Sequence, residues 1–219
     1  LVLNCGSSSL KYRVIDMPGD RELAAGEAQR IGPRTSEPSR LVHRSDGRTD
    51  ITEVPMPDHG SAFARIMETL RATRIEPDAV GHRVVHGGTR FVAPTRITAE
   101  VLQRLLGVEH LAPIHNPPAF RLIEAIFNQD PDLVQVAVFD TSYHSTIPRY
   151  ARTYALPARL RTRMGFRKYG FHGTSHRFVA GEAARMLGIP LDQLNAVSCH
   201  LGSGGASLCA IVRGRSVDN

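Results

Sequence analysis

The 219-residue chain is poor in cysteine and in lysine: the thiols are Cys5, Cys199 and Cys209, and the lysines are Lys11 and Lys168. An odd set of thiols without short paired spacing excludes a secreted disulfide framework and a cysteine-based zinc site, so reduced thiols are expected. No stretch approaches the roughly 18 apolar residues of a membrane span, and Gly6 to Ser9 interrupts the first residues before a signal-peptide apolar region can form. A cytoplasmic protein without a membrane partner is expected. Also absent are a Gly-Lys pair for a Walker A loop, a GxGxxG opening a helix, and a GxSxG nucleophile elbow. What is present is ordinary for a globular chain. Hydrophobic residues make up 42% and charged residues 22%, which disfavours disorder, collagen-like repeats and coiled coil. The length allows one large or two small domains on hydrophobic cores.

Acidic residues are the next scarcity, and it is local. The chain has 27 Lys+Arg against 21 Asp+Glu, a formal charge of +6. Residues 1–60 carry 8 basic and 9 acidic groups, residues 61–140 the same, and residues 141–219 carry 11 and 3. From Thr141 to Gly181 there is no carboxylate, while seven arginines and Lys168 accumulate. Either an anionic partner or a solvated Arg-rich face explains this. Nucleic acid is disfavoured, because the segment has no spaced aromatic platform for stacking bases.

Alternation of strand and helix signals points to an α/β fold. The first 16 residues read strand, Gly/Ser turn, strand. A helical period over Ser61 to Thr73 places Phe63, Ile66, Met67 and Leu70 on one face, and Ala79 to Val85 reads as a strand. Asn116-Pro117-Pro118 signals a helix start, with Phe120, Ile123, Ile126 and Phe127 facing inward. Leu133 to Phe139 is a strand ending at Asp140, and a carboxylate just past a buried strand is where open α/β sheets place ligand chemistry. Domains are expected at 1–140 and 141–219. The second contains a helix from Thr174 or Ser175 to Gly188, carrying Phe178, Val179, Ala183, Met186 and Leu187. From Val197 to Val212 the pattern of strand, Gly/Ser turn, strand returns, which predicts a duplicated fold. The duplication implies that the chain is a fragment, with most of its second domain following Asn219.

Several stretches carry chemistry. Gly6 to Ser9 is a common hairpin tip, yet its small residues, hydroxyls and nearby Lys11 form a phosphate cradle in chemical terms. The second hairpin repeats the donors without the lysine, and His200 precedes its tip. In Gly81-His82-Arg83-Val84-Val85-His86-Gly87-Gly88, Arg83 is either a bidentate clamp for carboxylate or phosphate or a surface ion pair. His82 with His86, and His172 with His176, have metal-ligand spacing, but no Glu or Cys supports a zinc site. His115 lies at a helix entrance and is either functional or a cap. Asp140 is the strongest lone carboxylate by position, with an N-cap as the alternative. His172 precedes a helix N-terminus, itself an anion-binding position. Arg, His, Asp and two anion cradles suit phosphoryl transfer, where positioning and charge stabilisation do most of the work.

Six motifs then become specific together. Asn4-Cys5-Gly6-Ser7-Ser8-Ser9-Leu10-Lys11, GHRVVHGG from Gly81, HNPP from His115, VFDT from Val138, YGFHGTSH from Tyr169 and HLGSG from His200 resemble, in order, the acetokinase family. The resemblance implies a duplicated ribonuclease-H-like fold of the actin and sugar-kinase type, an ATP-binding cleft between its domains, a homodimer, and transfer of phosphoryl from ATP to acetate. It implies Asn4 as a ligand on the magnesium side, with manganese as a substitute ion. Lys11, Ser7 and Ser9 would contact ATP phosphates, as would His200, Leu201, Gly202, Ser203 and Gly204. Arg83 would bind the carboxylate and the migrating phosphoryl group, His172 would stabilise the transition state, and Asp140 is the active-site acid. His115 would border the substrate, and Val85, Ile114 and Phe171 would line the acetate methyl pocket. Ser203 stands where the family usually has Asn, exchanging an amide donor for a shorter hydroxyl, and Ile114 stands where Leu is usual. Propionate or another short acid is the alternative substrate, and a non-catalytic nucleotide-binding module the alternative class. A second arginine, the adenosine site and a metal glutamate would follow Asn219, so the 219 residues alone are expected to be inactive.

Overall fold

The computed structural model describes residues 1–32, 37–202 and 205–219. They form two compact units. The first comprises Leu1–Val84 and Thr95–Val138, and the second Val85–Pro94 and Phe139–Asn219.

The first unit opens with an antiparallel meander of β1 (Val2–Cys5), β2 (Ser9–Asp16), β3 (Arg21–Gln29), β4 (Arg40–Ser45) and β5 (Arg48–Glu53). Helix α1 (His59–Ala72) follows, then β6 (Ala79–Val84), β7 (Thr95–Arg96), α2 (Ala99–Leu106), α3 (Asn116–Gln129) and β8 (Val134–Phe139). The sheet runs β5-β4-β3-β2-β1-β6-β8-β7, with β6 parallel to β1 after a helical crossover. At one edge, every residue of β5 is exposed. Asp58 caps α1 by accepting from Ser61 N at 2.7 Å, and the Ser61 hydroxyl closes the reciprocal capping box. The periodic faces read from the sequence are the buried ones. Phe63, Ile66 and Leu70 of α1 and Leu122 and Ile126 of α3 join Leu3 and Leu10 of the sheet in one core.

In the second unit, α4 (Arg149–Arg152) and α5 (Ala158–Met164) precede α6 (Gly173–Leu187), followed by β9 (Ala196–Gly202), β10 (Gly205–Val212) and β11 (Arg215–Asp218). The three strands form an antiparallel sheet in the order β11-β10-β9, repeating the β3-β2-β1 meander that opens the first unit. Helix α6 ends at Gly188 in the left-handed conformation, as its sequence predicts. Its buried side differs from its most apolar side: Phe178, Val179, Met186 and Leu187 are exposed, while His176, Ala180 and Ala184 face the sheet. Small residues let the helix lie close, over a cluster that includes Leu194, Cys209 and Ile211.

The segment 85–94 belongs to the second unit for identifiable reasons. The backbone N–H of Gly87 donates to Thr141 Oγ1 at 3.2 Å, and the Phe91 ring stacks on Phe139 at 5.2 Å.

Candidate functional site

Alternation along the central strands of the first unit sorts side chains by face. Leu3, Tyr12 and His82 are buried, and their neighbours Asn4, Lys11 and Arg83 stand on the other face. Register then aligns them, because Asn4 pairs with Lys11 across β1–β2 and with Arg83 across β1–β6. Arg83 Nη1 donates to Asn4 Oδ1 at 3.2 Å. Lys11 Nζ lies 4.0 Å from Glu27 Oε1, an exposed pair of little energetic weight. At the end of this row is the first Gly/Ser turn, closed by Gly6 N donating to Ser9 O at 2.8 Å. His59 Nε2 holds the Gly6 carbonyl at 2.8 Å. Ser7 is exposed and Ser9 half-buried. Burial pushes the Cys5 thiol up to about 12, so it is a packing group rather than a nucleophile.

His82 is no metal ligand. Its Nε2 is 2.9 Å from Gln135 Oε1, and burial lowers its pKa to about 4. His86 Nδ1 accepts from Gly88 N at 2.9 Å, and its ring meets Tyr169 and Phe171 edge-on at 4.5 and 5.6 Å. Among the described residues, no three His, Cys, Asp or Glu converge on a possible metal position. Ile114 and His115 are exposed just ahead of α3, in the first unit, and His115 makes no side-chain cap bond.

The second unit gathers the other predicted residues. Val85 is half-buried and Phe171 exposed. Asp140 is 1% exposed; its Oδ1 accepts from Thr174 Oγ1 at 2.9 Å, and its carbonyl accepts from Gly173 N at 2.9 Å. That carbonyl fixes the residue at 173, where a Cβ would stand 2.2 Å from it. His172 is the residue before α6 and adopts a left-handed backbone, φ 56°, a conformation found at functional positions more than elsewhere. Its ring stacks on His200 at 4.3 Å and 15°. His172 Nδ1 is 2.9 Å from Ser207 Oγ, and His200 Nδ1 is 3.0 Å from Ser175 Oγ. Leu201 and Gly202 end β9, exposed; Ser203 and Gly204 lie outside the described residues. Gly205 resumes at φ 147°, with a Cβ there 3.6 Å from His172 Nε2.

Behind these lies a histidine and serine network that sequence reading misses. His176 and His144 are buried. His176 Nδ1 is 2.6 Å from Ser198 Oγ and its Nε2 is 2.8 Å from Ser207 Oγ. His144 Nδ1 is 2.8 Å from Ser216 Oγ and its Nε2 is 2.8 Å from Phe171 O. Burial, then the neighbouring His144, His200 and His172, lower His176 to about 4, and burial lowers His144. Both rings are neutral structural elements near neutral pH. Serine and histidine are too common for their spacing to reveal this, although His176 closes the motif that begins at Tyr169 and His144 follows Asp140 by four residues.

Residues 1–219 match the family model described as the acetokinase family. The chain belongs to the acetokinase family. Among curated relatives, this family member is 45% identical to the acetate kinase of Clostridium kluyveri over all of its own length and 55% of the relative's. It is also 45% identical to that of Thermotoga maritima, with the same coverage. The crystal structure of Porphyromonas gingivalis acetate kinase is similar with a TM-score of 0.91 at 39% identity, covering 100% of this chain and 56% of that one. A propionate kinase from Francisella tularensis matches with TM-score 0.91 at 36% identity and the same coverage. This acetokinase-family chain spans about half the length of the curated relatives it matches. Its fold is the mixed α/β fold of these kinases. No helix among its described residues is long and apolar enough to cross a membrane.

Proposed function

We propose that the protein is an acetate kinase, transferring the γ-phosphoryl group of ATP reversibly to acetate to give acetyl phosphate and ADP. The observation that carries this reading is similarity to acetate kinases over all 219 residues. In this reading residues 1–140 form one ribonuclease-H-like domain and residues 141–219 open a second, and the enzyme works as a cytoplasmic homodimer.

A carboxylate is already an anionic nucleophile at neutral pH, so attack on phosphorus needs positioning more than a base. Arg83 suits the carboxylate and the migrating phosphoryl group, its fork held by Asn4. His172, stacked on His200, balances charge on the phosphoryl oxygens. Lys11, Ser7 and Ser9 form one phosphate cradle, and His200 to Gly204 the other. Asp140, held by Thr174, orients catalytic groups rather than abstracting a proton. This reading assigns contact with the acetate methyl to Val85, Ile114 and Phe171, and a further substrate contact to His115.

The divalent ion is read as magnesium. In this reading the ion is held largely by nucleotide phosphates, as magnesium usually is. Asn4 would lend one amide oxygen, whose other lone pair serves Arg83. When bound, the ion supplies charge neutralisation on the β- and γ-phosphates.

The likeness to a propionate kinase favours a second reading, a preference for the longer acid. Trapping acyl phosphate as the hydroxamate tests both with full-length protein, ATP and acetate, propionate or butyrate. Acetate turning over fastest is expected, propionate turning over fastest supports the second reading, and no hydroxamate from any acid overturns both.

A further inference from the structure

Ser207 Oγ lies between two imidazoles, 2.9 Å from His172 Nδ1 and 2.8 Å from His176 Nε2. A serine hydroxyl has one proton and two lone pairs, so it donates to at most one of the rings and accepts from the other or from both. Asn219 decides which. Its Oδ1 accepts from Phe171 N at 2.9 Å and its Nδ2 donates to Leu208 O at 2.9 Å, which fixes the orientation of the amide. The same Nδ2 is 3.5 Å from His176 Nε2. A lone pair on His176 Nε2 accepts from the Ser207 hydroxyl and attracts the Asn219 amide, whereas an N–H there would set two donors against each other; the nitrogen is therefore the acceptor, and His176 carries its proton on Nδ1, toward Ser198 Oγ. The Ser207 proton therefore goes to His176, and the Ser207 oxygen receives a proton from His172 Nδ1.

We propose that Ser207 is a positioning residue that holds His172 as the Nδ1–H tautomer, leaving Nε2 as the nitrogen whose proton comes and goes. This rests on the phosphoryl-transfer reading of His172. Nε2 is the ring nitrogen near Gly205, 3.6 Å from a Cβ there. It donates to a phosphoryl oxygen only when the ring is the imidazolium. The protonated ring then keeps its Nδ1 bond to Ser207 unchanged, and His176 stays neutral throughout. Titratable groups near the ring include His200, stacked on it, His176 through Ser207, and His144, which interacts electrostatically with both His172 and Asp140.

Imidazole 15N spectra of full-length protein test the assignment. In the wild type above the ring's pKa, His172 is expected to show a protonated Nδ1 and a bare Nε2. A protonated Nε2 with a bare Nδ1 overturns the proposal, whatever the variants do. Ser207→Ala should give a mixture of tautomers and lower kcat about 10- to 100-fold, the effect of removing a partner that orients a functional histidine. KM for ATP and acetate should hold. Ser207→Thr, which keeps the hydroxyl, should restore both tautomer and rate. An unchanged tautomer in Ser207→Ala overturns the proposal even if kcat falls, because packing alone would then explain the loss. A wild-type enzyme forming no hydroxamate rejects the phosphotransferase reading instead, with the tautomer still measurable.

Discussion

Asn4, Lys11 and Arg83 come from three strands and two kinds of pairing, yet register places them in one row. A one-residue slip of any one of these strands would turn its member of the row toward the core. Their alignment is thus a product of hydrophobic alternation at Leu3, Tyr12 and His82 as much as of any attraction among the polar groups. Replacing Arg83 by Ala removes a fork that no water reproduces. We expect kcat in the hydroxamate assay to fall about 10²-fold or more, roughly 3 kcal/mol of barrier. Arg83→Lys should recover little of it, because a point charge does not replace a bidentate clamp. Because Arg83 is only half-buried, its loss should leave the melting temperature nearly unchanged. Near wild-type turnover in Arg83→Ala would remove the residue from the proposed chemistry.

Helix α6 carries a contrast between two of its glycines. At Gly173 a Cβ would lie 2.2 Å from the Asp140 carbonyl, whereas at Gly181 nothing lies within 4 Å. Gly173→Ala should destabilise by about 1–3 kcal/mol through forced backbone movement. Gly181→Ala should stabilise by up to about 1 kcal/mol, because alanine suits an open helix interior better. Urea denaturation of the two variants checks this, and equal effects would contradict it. Periodicity and punctuation made most elements legible: the periodic face of α1, the proline-marked start of α3 and the Gly188 stop of α6 all follow from local chemistry, whereas the Asp58 cap of α1 emerges only from the structure. What local chemistry cannot register is the choice of partner. Residues 85–94 join the second unit through Thr141 and Phe139, contacts about 50 positions away in the chain. The most apolar residues of α6 suggest a buried face, yet the helix turns its alanines and His176 inward. The candidate site could be proposed from the sequence where rare combinations mark it, at Arg83, Asp140 and His172. It was illegible at Ser207 and His176, whose role comes from bonds formed only on folding.

At the scale of the molecule, buried histidines govern the response to acid. His82 and His176 have folded pKa values near 4 against 6.5 unperturbed. Between those values the unfolded chain binds protons that the folded protein refuses, so stability falls as pH drops through this window and levels off below it. His82, the more deeply desolvated, should account for about 3 kcal/mol between pH 7 and pH 4. His144 and His43, also lowered by burial, act in the same direction. Chemical denaturation at pH 7, 5.5 and 4 measures the slope, and a stability independent of pH over that range would contradict it. The basic excess of residues 141–219 adds self-repulsion as these rings gain protons: Arg152 already lowers the pKa of Arg167, after desolvation. The edges of the large sheet have a separate consequence. Strand β5 offers its outer backbone behind Arg48, Asp50 and Glu53, all exposed, and β7 at the far edge is two residues long, directly after Pro94. Charge on one margin, brevity and proline on the other, deny an incoming strand a continuous template, so the eight-stranded sheet is guarded against growing into a fibril.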